Sequence, residues 1–237
     1  MVHDAAGLDR PEISVIMPTY NQGQFIGEAI KDILNQRFKD FELIVVNDGS
    51  TDDTRDRIPT SYDPNLRYFE HDKNRGEPAA LMTGIKASYA PFVSFCTSDC
   101  RYLTNWLQDC YDVIISDNRI AYAYGNFYSI NQSGIRIQKW ERPEFDFETF
   151  KKEFIISGYG VMRKGALQKC MPIQDIPYGW DWKFYLDLAQ YGKFVRIPKY
   201  MASWRDWGGN TTMKMRTGQI KPWRPSKEYL DSLHPYT

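Results

Sequence analysis

Within its first 100 residues the chain switches four times between a short apolar run and a polar or helical stretch, and this alternation restricts its fold more than any other feature. Ile13 to Met17 (ISVIM), Phe41 to Val46 (FELIVV), Leu66 to Glu70 and Phe92 to Cys96 (FVSFC) are runs of the kind that buried strands carry. Between the first two, Phe25, Ile26, Ala29, Ile30, Ile33 and Leu34 recur at helical spacing. Ala79 to Tyr89 reads as a helix entered through Gly76 and Pro78, and another helix is expected near Asp53, capped by Ser50 or Thr51. Strands alternating with helices predict an α/β fold: a Rossmann-like, mostly parallel central sheet flanked by helices. In such sheets ligands sit at the carboxyl ends of the strands. Pro18-Thr19-Tyr20-Asn21, Asn47-Asp48-Gly49-Ser50 and Thr97-Ser98-Asp99 all fall there, so the sequence places them on one rim.

Beyond Asp99 the pattern changes. Leu103 to Ser116 reads as a helix, and Ala121 to Ile130 with Ile135 to Trp140 flank Asn131-Gln132-Ser133-Gly134 as a hairpin. Phe147 to Phe154 suggests a short helix, and Val161 to Lys169 a strand end leading into a helix. Asp181 to Tyr191 is a helix with Phe184, Tyr185, Leu188 and Ala189 inward, ended by Gly192. Phe194 to Ile197 and Tyr200 to Trp204 read as two strands, and Gly208 opens a polar tail without periodicity. The 30 basic and 30 acidic residues balance, which argues against a dedicated nucleic-acid binder. No apolar run approaches the length of a membrane span, and the opening MVHDAAGLDR has no signal-peptide core, so a cytoplasmic location is expected. The four cysteines form no CxxC pair, and His3, His71 and His234 lie far apart. Reduced thiols are expected, and neither a zinc site nor a disulfide framework.

The rim motifs resemble those of glycosyltransferase family 2, whose fold is called GT-A. The likeness runs through Ile13 to Asn21 (ISVIMPTYN), Phe41 to Asp52 (FELIVVNDGSTD), Asn74-x-Gly76 and Phe95 to Asp99. It continues through Gly179-Trp180-Asp181-Trp182, Trp204-Arg205 and Gly208 to Thr212. It implies an enzyme that moves a sugar from a nucleotide diphosphate sugar, UDP foremost, to an acceptor hydroxyl on a glycan or glycoconjugate, inverting the anomeric carbon. Such a transfer asks for a neutralised diphosphate, a base on the opposite face and an oriented nucleoside. The family supplies the first with Mn²⁺ or Mg²⁺, and a membrane-borne acceptor would bring peripheral membrane association.

By this resemblance Asp48 contacts the base of the nucleotide, and Pro18, Thr19, Tyr20, Arg75 and Ser98 line its pocket. Asp48 equally suits an Asx-turn, Tyr20 a packing role and Arg75 solvent. The family's Asp-x-Asp is reduced to Thr97-Ser98-Asp99, leaving Asp99 as the expected metal ligand; Cys100 is a poor ligand for a hard cation. Asp181, behind the Pro177-Tyr178-Gly179-Trp180 loop, matches the catalytic base, with a helix-start acid as the plain alternative. The family's Glu-Asp pair reads Trp180-Asp181 here. Gly158, Trp180 and Trp182 are expected on the acceptor side, with core packing competing for one tryptophan.

Three departures stand out. The arginine expected after Asn-x-Gly is absent from Ala80-Leu81-Met82. Arg205-Asp206-Trp207 lacks the metal-binding histidine, which weakens the metal site or hands the role to Asp206. Residues 208–221 read as a lid carrying Lys214 and Arg216 as charge partners of the diphosphate, grouped with Arg205, or as an ordinary tail. The missing groups motivate a second reading, a catalytically impaired nucleotide-sugar or glycan binding module. The expected organisation is a single GT-A domain over residues 1–237: a nucleotide-binding half (12–100), an acceptor-side half (101–204) and a flexible lid or tail (205–237).

Overall fold

The computed structural model describes residues 10–59, 63–173, 176 and 178–236. Residues 1–9, which hold His3 and most of the opening segment, and Pro177 of the predicted loop lie outside them. In chain order the elements are β1 (Ile13–Thr19), α1 (Gly23–Leu34), β2 (Phe41–Asn47), β3 (Leu66–Glu70), α2 (Glu77–Ala87), β4 (Phe92–Phe95), β5 (Arg101–Tyr102) and α3 (Trp106–Ser116). They continue with β6 (Ile120–Asn131), β7 (Arg136–Trp140), α4 (Phe147–Phe150), β8 (Gly160–Arg163), α5 (Lys164–Lys169), α6 (Trp180–Leu188), β9 (Lys193–Asp206), α7 (Thr211–Arg216) and α8 (Lys227–Asp231).

One sheet joins the strands in the order β3-β2-β1-β4-β8-β6-β9-β5, with β7 paired to β6 outside that path. β3, β2, β1 and β4 are mutually parallel, β8 runs antiparallel to both β4 and β6, and β9 lies parallel to β6.

Every residue of β1 and β2 is buried, because both faces of this part of the sheet are covered. Alternate side chains go to opposite sides. Ile13, Val15, Met17, Leu43 and Val45 share a core with Ile26, Ala29, Ile30 and Ile33 of α1. Ile16 packs with Leu81 and Ile85 of α2, while Ile44 and Val46 pack with Ala80. Each such aliphatic side chain contributes about 1.5–3 kcal/mol on burial. α2 approaches β1 so closely at Gly84 that a Cβ there would collide with Ile16. The registers end β1 and β2 together, Thr19 opposite Asn47, so the polar clusters that follow share one edge.

Four expectations need correction. No α-helix starts at Asp53: the segment makes a single 3₁₀ turn at Arg55–Arg57, and Ser50 and Thr51 bond to Asn21 rather than capping it. The two strands expected at 194–204 are one, β9, whose register against β6 shifts around Gly125 and Asn126, accommodating Pro198 inside the strand. The helix expected over 147–154 stops at Phe150. The segment after Gly208 carries two short helices, α7 and α8, and Trp223, Tyr229, Leu230 and Leu233 pack onto the core around α6. Their spacing is too sparse to show as periodicity. Among the described residues no helix is long and apolar enough to cross a membrane. The four cysteines are unpaired thiols, three of them buried.

Candidate active site

The loops leaving β1 and β2 are tied to each other. Asp48 N–H donates to the Thr19 carbonyl at 2.8 Å, Asn21 N–H to Ser50 Oγ at 2.9 Å, and Thr51 N–H to Asn21 Oδ1 at 2.8 Å. Gly49 (φ +70°) backs onto the Lys73–Asn74 backbone, leaving neither conformation nor room for a side chain. Asp48 is buried, and its carboxylate organises the neighbouring loop. Oδ1 meets His71 Nδ1 at 2.6 Å and accepts from Arg75 N–H at 3.0 Å; Oδ2 accepts from Arg75 N–H at 3.0 Å and Gly76 N–H at 2.8 Å. His71 Nε2 in turn meets Thr83 Oγ1 of α2 at 2.8 Å. Both oxygens of Asp48 are thus engaged by the chain. Tyr20 and the Arg75 side chain stand exposed on the same rim, while Thr19 and Ser98 are buried beneath it. The Thr19 hydroxyl has no hydrogen-bond partner. Pro18 lies within β1, one residue before its end, and is buried.

Asp99 follows β4. Its Oδ2 accepts from the indole N–H of Trp207 at 3.0 Å, and its carbonyl accepts from Arg205 Nε at 2.9 Å. Trp207 is held edge-on by Phe25 of α1, ring centroids 5.3 Å apart. Burial, and then the Asp99 charge, push the neighbouring Cys100 thiol up to about 12, so it is no thiolate. Among the described residues no group of three or more His, Cys, Asp or Glu could hold a metal ion. A lone carboxylate of this kind fits a hard divalent ion carried mainly by diphosphate oxygens and does not fit a resident one.

Asp181 sits in the first turn of α6, behind Tyr178 (φ +60°) and Gly179 (φ +108°). Trp223 N–H donates to the Tyr178 carbonyl at 2.6 Å and pins that turn. Burial raises the Asp181 pKa above the ordinary carboxylate range, against the opposing pull of backbone N–H groups at the helix start. Trp180 points the other way from Trp182. Its Nε1–H donates to Glu77 Oε2 at 3.2 Å, across from α6 to the start of α2. Glu77 is exposed at the surface, with protein around it dense enough to desolvate its carboxylate. Burial pushes it up to about 7, the Trp180 hydrogen bond opposes this, and the charges of Asp181 and Asp99 add to it. Glu77 is thus near enough to both Asp99 and Asp181 for their charges to act on it.

Not every expected residue joins. Trp182 is a core residue: it is 5% exposed, and its Nε1–H donates to the Phe150 carbonyl at 2.9 Å. Arg205 is also buried. Its guanidinium donates to the carbonyls of Asp99 and Gln132 and to Glu28 Oε2, and it lies over the Phe25 ring, so it braces the Asp99 loop rather than a lid. Lys214 and Arg216 are exposed on α7, with Arg216 over the Trp204 ring. Gly158 faces open space. Behind Trp180 a cavity of about 290 Å³ is lined by Lys169, Ile173, Lys183 and Asp187.

Glu77, His71 and Trp207 were not singled out as site residues by the sequence reading. Glu77 directly follows the Asn74-x-Gly76 segment, a position that could have flagged it. The partnership of Trp207 with Asp99 spans 108 residues and leaves no local signal.

The family model for Glycosyl transferase family 2 matches residues 14–171. An uncharacterized glycosyltransferase of Rickettsia bellii is 29% identical over 85% of this chain, which corresponds to 30% of that protein. The UDP-Glc:alpha-D-GlcNAc-diphosphoundecaprenol beta-1,3-glucosyltransferase WfgD of Escherichia coli is 30% identical over 56% of this chain and 51% of its own length. The mannosyltransferase PcManGT from Pyrobaculum calidifontis, solved with GDP-Man and Mn²⁺, superposes with a TM-score of 0.66 at 19% identity, covering 89% of this chain and 61% of that one. The fold is of the GT-A type. The chain spans between 30% and 40% of the length of the first curated relatives it matches.

Proposed function

The chain belongs to glycosyl transferase family 2, and from that premise we propose that it transfers a sugar from a nucleoside diphosphate sugar, UDP-linked in the first instance, to a hydroxyl of a glycan or glycoconjugate with inversion. What supports this reading is that Glu77, hydrogen-bonded to Trp180 beside Asp181, lies near enough to Asp99 and Asp181 for both charges to act on it. The nucleoside rests on Thr19, Tyr20 and the loop that Asp48 clamps, with the diphosphate over Ser98 and Asp99. Asp181 receives the proton of the acceptor hydroxyl as that oxygen attacks the anomeric carbon and the bond to the diphosphate breaks. Its raised pKa brings its basicity closer to that of the working solution, as a general base requires. A divalent ion bound with the donor supplies charge neutralisation for the leaving diphosphate; Asp99 is the side chain that would hold it. Trp180 and the open space at Gly158 bound the acceptor side, and α7 brings Lys214 and Arg216 as a basic lid. The relative named for UDP-Glc supports uridine as the first nucleotide to test.

A thermal-shift screen against UDP, GDP, dTDP and CMP sugars, with and without Mn²⁺, tests the reading. A UDP sugar is expected to raise the melting temperature most, and Mn²⁺ to increase that shift. No shift with any nucleotide sugar would sink it. A second reading, a binding module without turnover, draws on Trp207, whose N–H occupies one oxygen of Asp99. Release of UDP from the donor by the wild type, lost in Asp181→Asn while UDP still binds, decides against that second reading.

A further inference from the structure

We propose that Glu77 reads the hydroxyls of the transferred sugar; this assignment rests on the transferase reading above. The transferred ring must lie between the diphosphate at Asp99 and the acceptor at Asp181. Glu77 is close enough to feel the charge of both carboxylates, and its hydrogen bond to Trp180 places it one residue from the base. Its backbone is fixed to the nucleotide side as well, because Asp48 holds the N–H groups of Arg75 and Gly76 immediately before it.

What surrounds the carboxylate argues against a purely structural role. Among the described residues no basic side chain pairs with Glu77, which is exposed, and its hydrogen bond from Trp180 falls on Oε2. An acid in the first turn of a helix does gain from the helix dipole. That gain needs no indole partner, and two nearby carboxylates oppose it. An ionised carboxylate without a cationic partner is a strong acceptor for hydroxyl donors. Trp180, just before Asp181, turns its N–H to Glu77 and so links α6 to the start of α2.

The test uses the full chain and its Glu77→Gln and Glu77→Ala variants, titrated calorimetrically with UDP, UDP-glucose, UDP-galactose and UDP-N-acetylglucosamine. Melting temperatures establish that the variants fold. UDP is expected to bind all three proteins within twofold, while the best UDP sugar binds Glu77→Ala about tenfold more weakly and the ratio between the glucose and galactose epimers narrows. Glu77→Gln, which keeps the shape and loses the charge, is expected to fall between and decides the matter if Glu77→Ala does not fold. A sugar increment over UDP and an epimer ratio that survive in the variants overturn the assignment and leave the transferase reading standing. A wild type that binds neither UDP nor any of these sugars overturns both.

Discussion

The two tryptophans that flank Asp181 face opposite ways, and the contrast between them repeats on a larger scale between the two halves of the sheet. Trp182 is core and Trp180, half-buried, reaches out to Glu77, although they stand two residues apart on one helix. Likewise the parallel half, β3-β2-β1-β4, gathers its polar loops on one edge by local chain order. The half containing β8, β6, β9 and β5 delivers its contributions through contacts between residues far apart in sequence, such as Trp207 with Asp99 and Arg205 with Glu28. Strand ends in a parallel sheet form a site by topology alone. A mixed sheet forms one only after its tertiary packing is complete.

The largest expected effect tests whether the distal half truly supplies the chemistry. Asp181→Asn should lower the transfer rate about 10²–10⁴-fold while leaving UDP affinity unchanged. Because burial raises the Asp181 pKa, the wild-type rate should fall with acidification at a pH above the ordinary carboxylate range. An acid limb lying at or below that range, or an unimpaired variant, breaks the assignment.

The tryptophan pair sharpens the same contrast. Trp182→Ala removes a buried indole and its bond to the Phe150 carbonyl, and should cost about 3–5 kcal/mol in chemical denaturation. Trp180→Ala should cost no more than about 1 kcal/mol and show its loss in transfer. Equal destabilisation by the two would mean that Trp180 is core as well.

On the nucleotide side, Asp48→Ala should cost about 3 kcal/mol, since it leaves His71 and the N–H groups of Arg75 and Gly76 without their acceptor. Nucleotide affinity should fall with it, because the clamped loop forms one wall of the pocket. A variant of wild-type stability that still binds UDP would remove Asp48 from the site.

Much of the parallel half was legible in the sequence, for a physical reason. Runs such as ISVIM and FELIVV are apolar at every position because both faces are covered, so strands, helices and rim follow from periodicity alone. The resemblance added Asp99 and Asp181, and in the fold the charges of both act on Glu77. Periodicity was silent on what a side chain does inside a mixed environment. Arg205 looks like a mobile cation and is buried among carbonyls; Trp182 looks like a sugar platform and is core. Asp53 looks like a helix start, but Asp52 accepts from Gly23 N–H and Thr54 N–H, tying this loop to α1 and leaving only a 3₁₀ turn. Glu77 carries no periodic or compositional mark, because what sets it apart, the Trp180 hydrogen bond and the charges of Asp99 and Asp181, comes from residues distant in sequence.

The smallest effect bears on that residue and tests whether the cleft is concave enough to perturb it. Glu77 is pushed from an ordinary value of 4.5 up to about 7. Below pH 4.5 it is protonated in the folded and unfolded chain alike and adds no pH dependence. Between about 4.5 and 7 the unfolded chain ionises first, so the unfolded state is progressively favoured as pH rises, and above 7 the full penalty is in place. Relative to wild type, Glu77→Gln should therefore be neutral near pH 4.5 and stabilising above pH 7. The shift taken whole corresponds to about 3 kcal/mol, but the side chain is open to water, and screening reduces the expected gain to about 1 kcal/mol. That corresponds to a rise in Tm of about 2–4 °C. Asp181 titrates nearby, so the informative quantity is the difference between the two proteins across pH. A difference that grows through this window locates the perturbed acid at Glu77. A flat one would mean that the cleft is as wet as the open surface and that Glu77 ionises like any exposed glutamate.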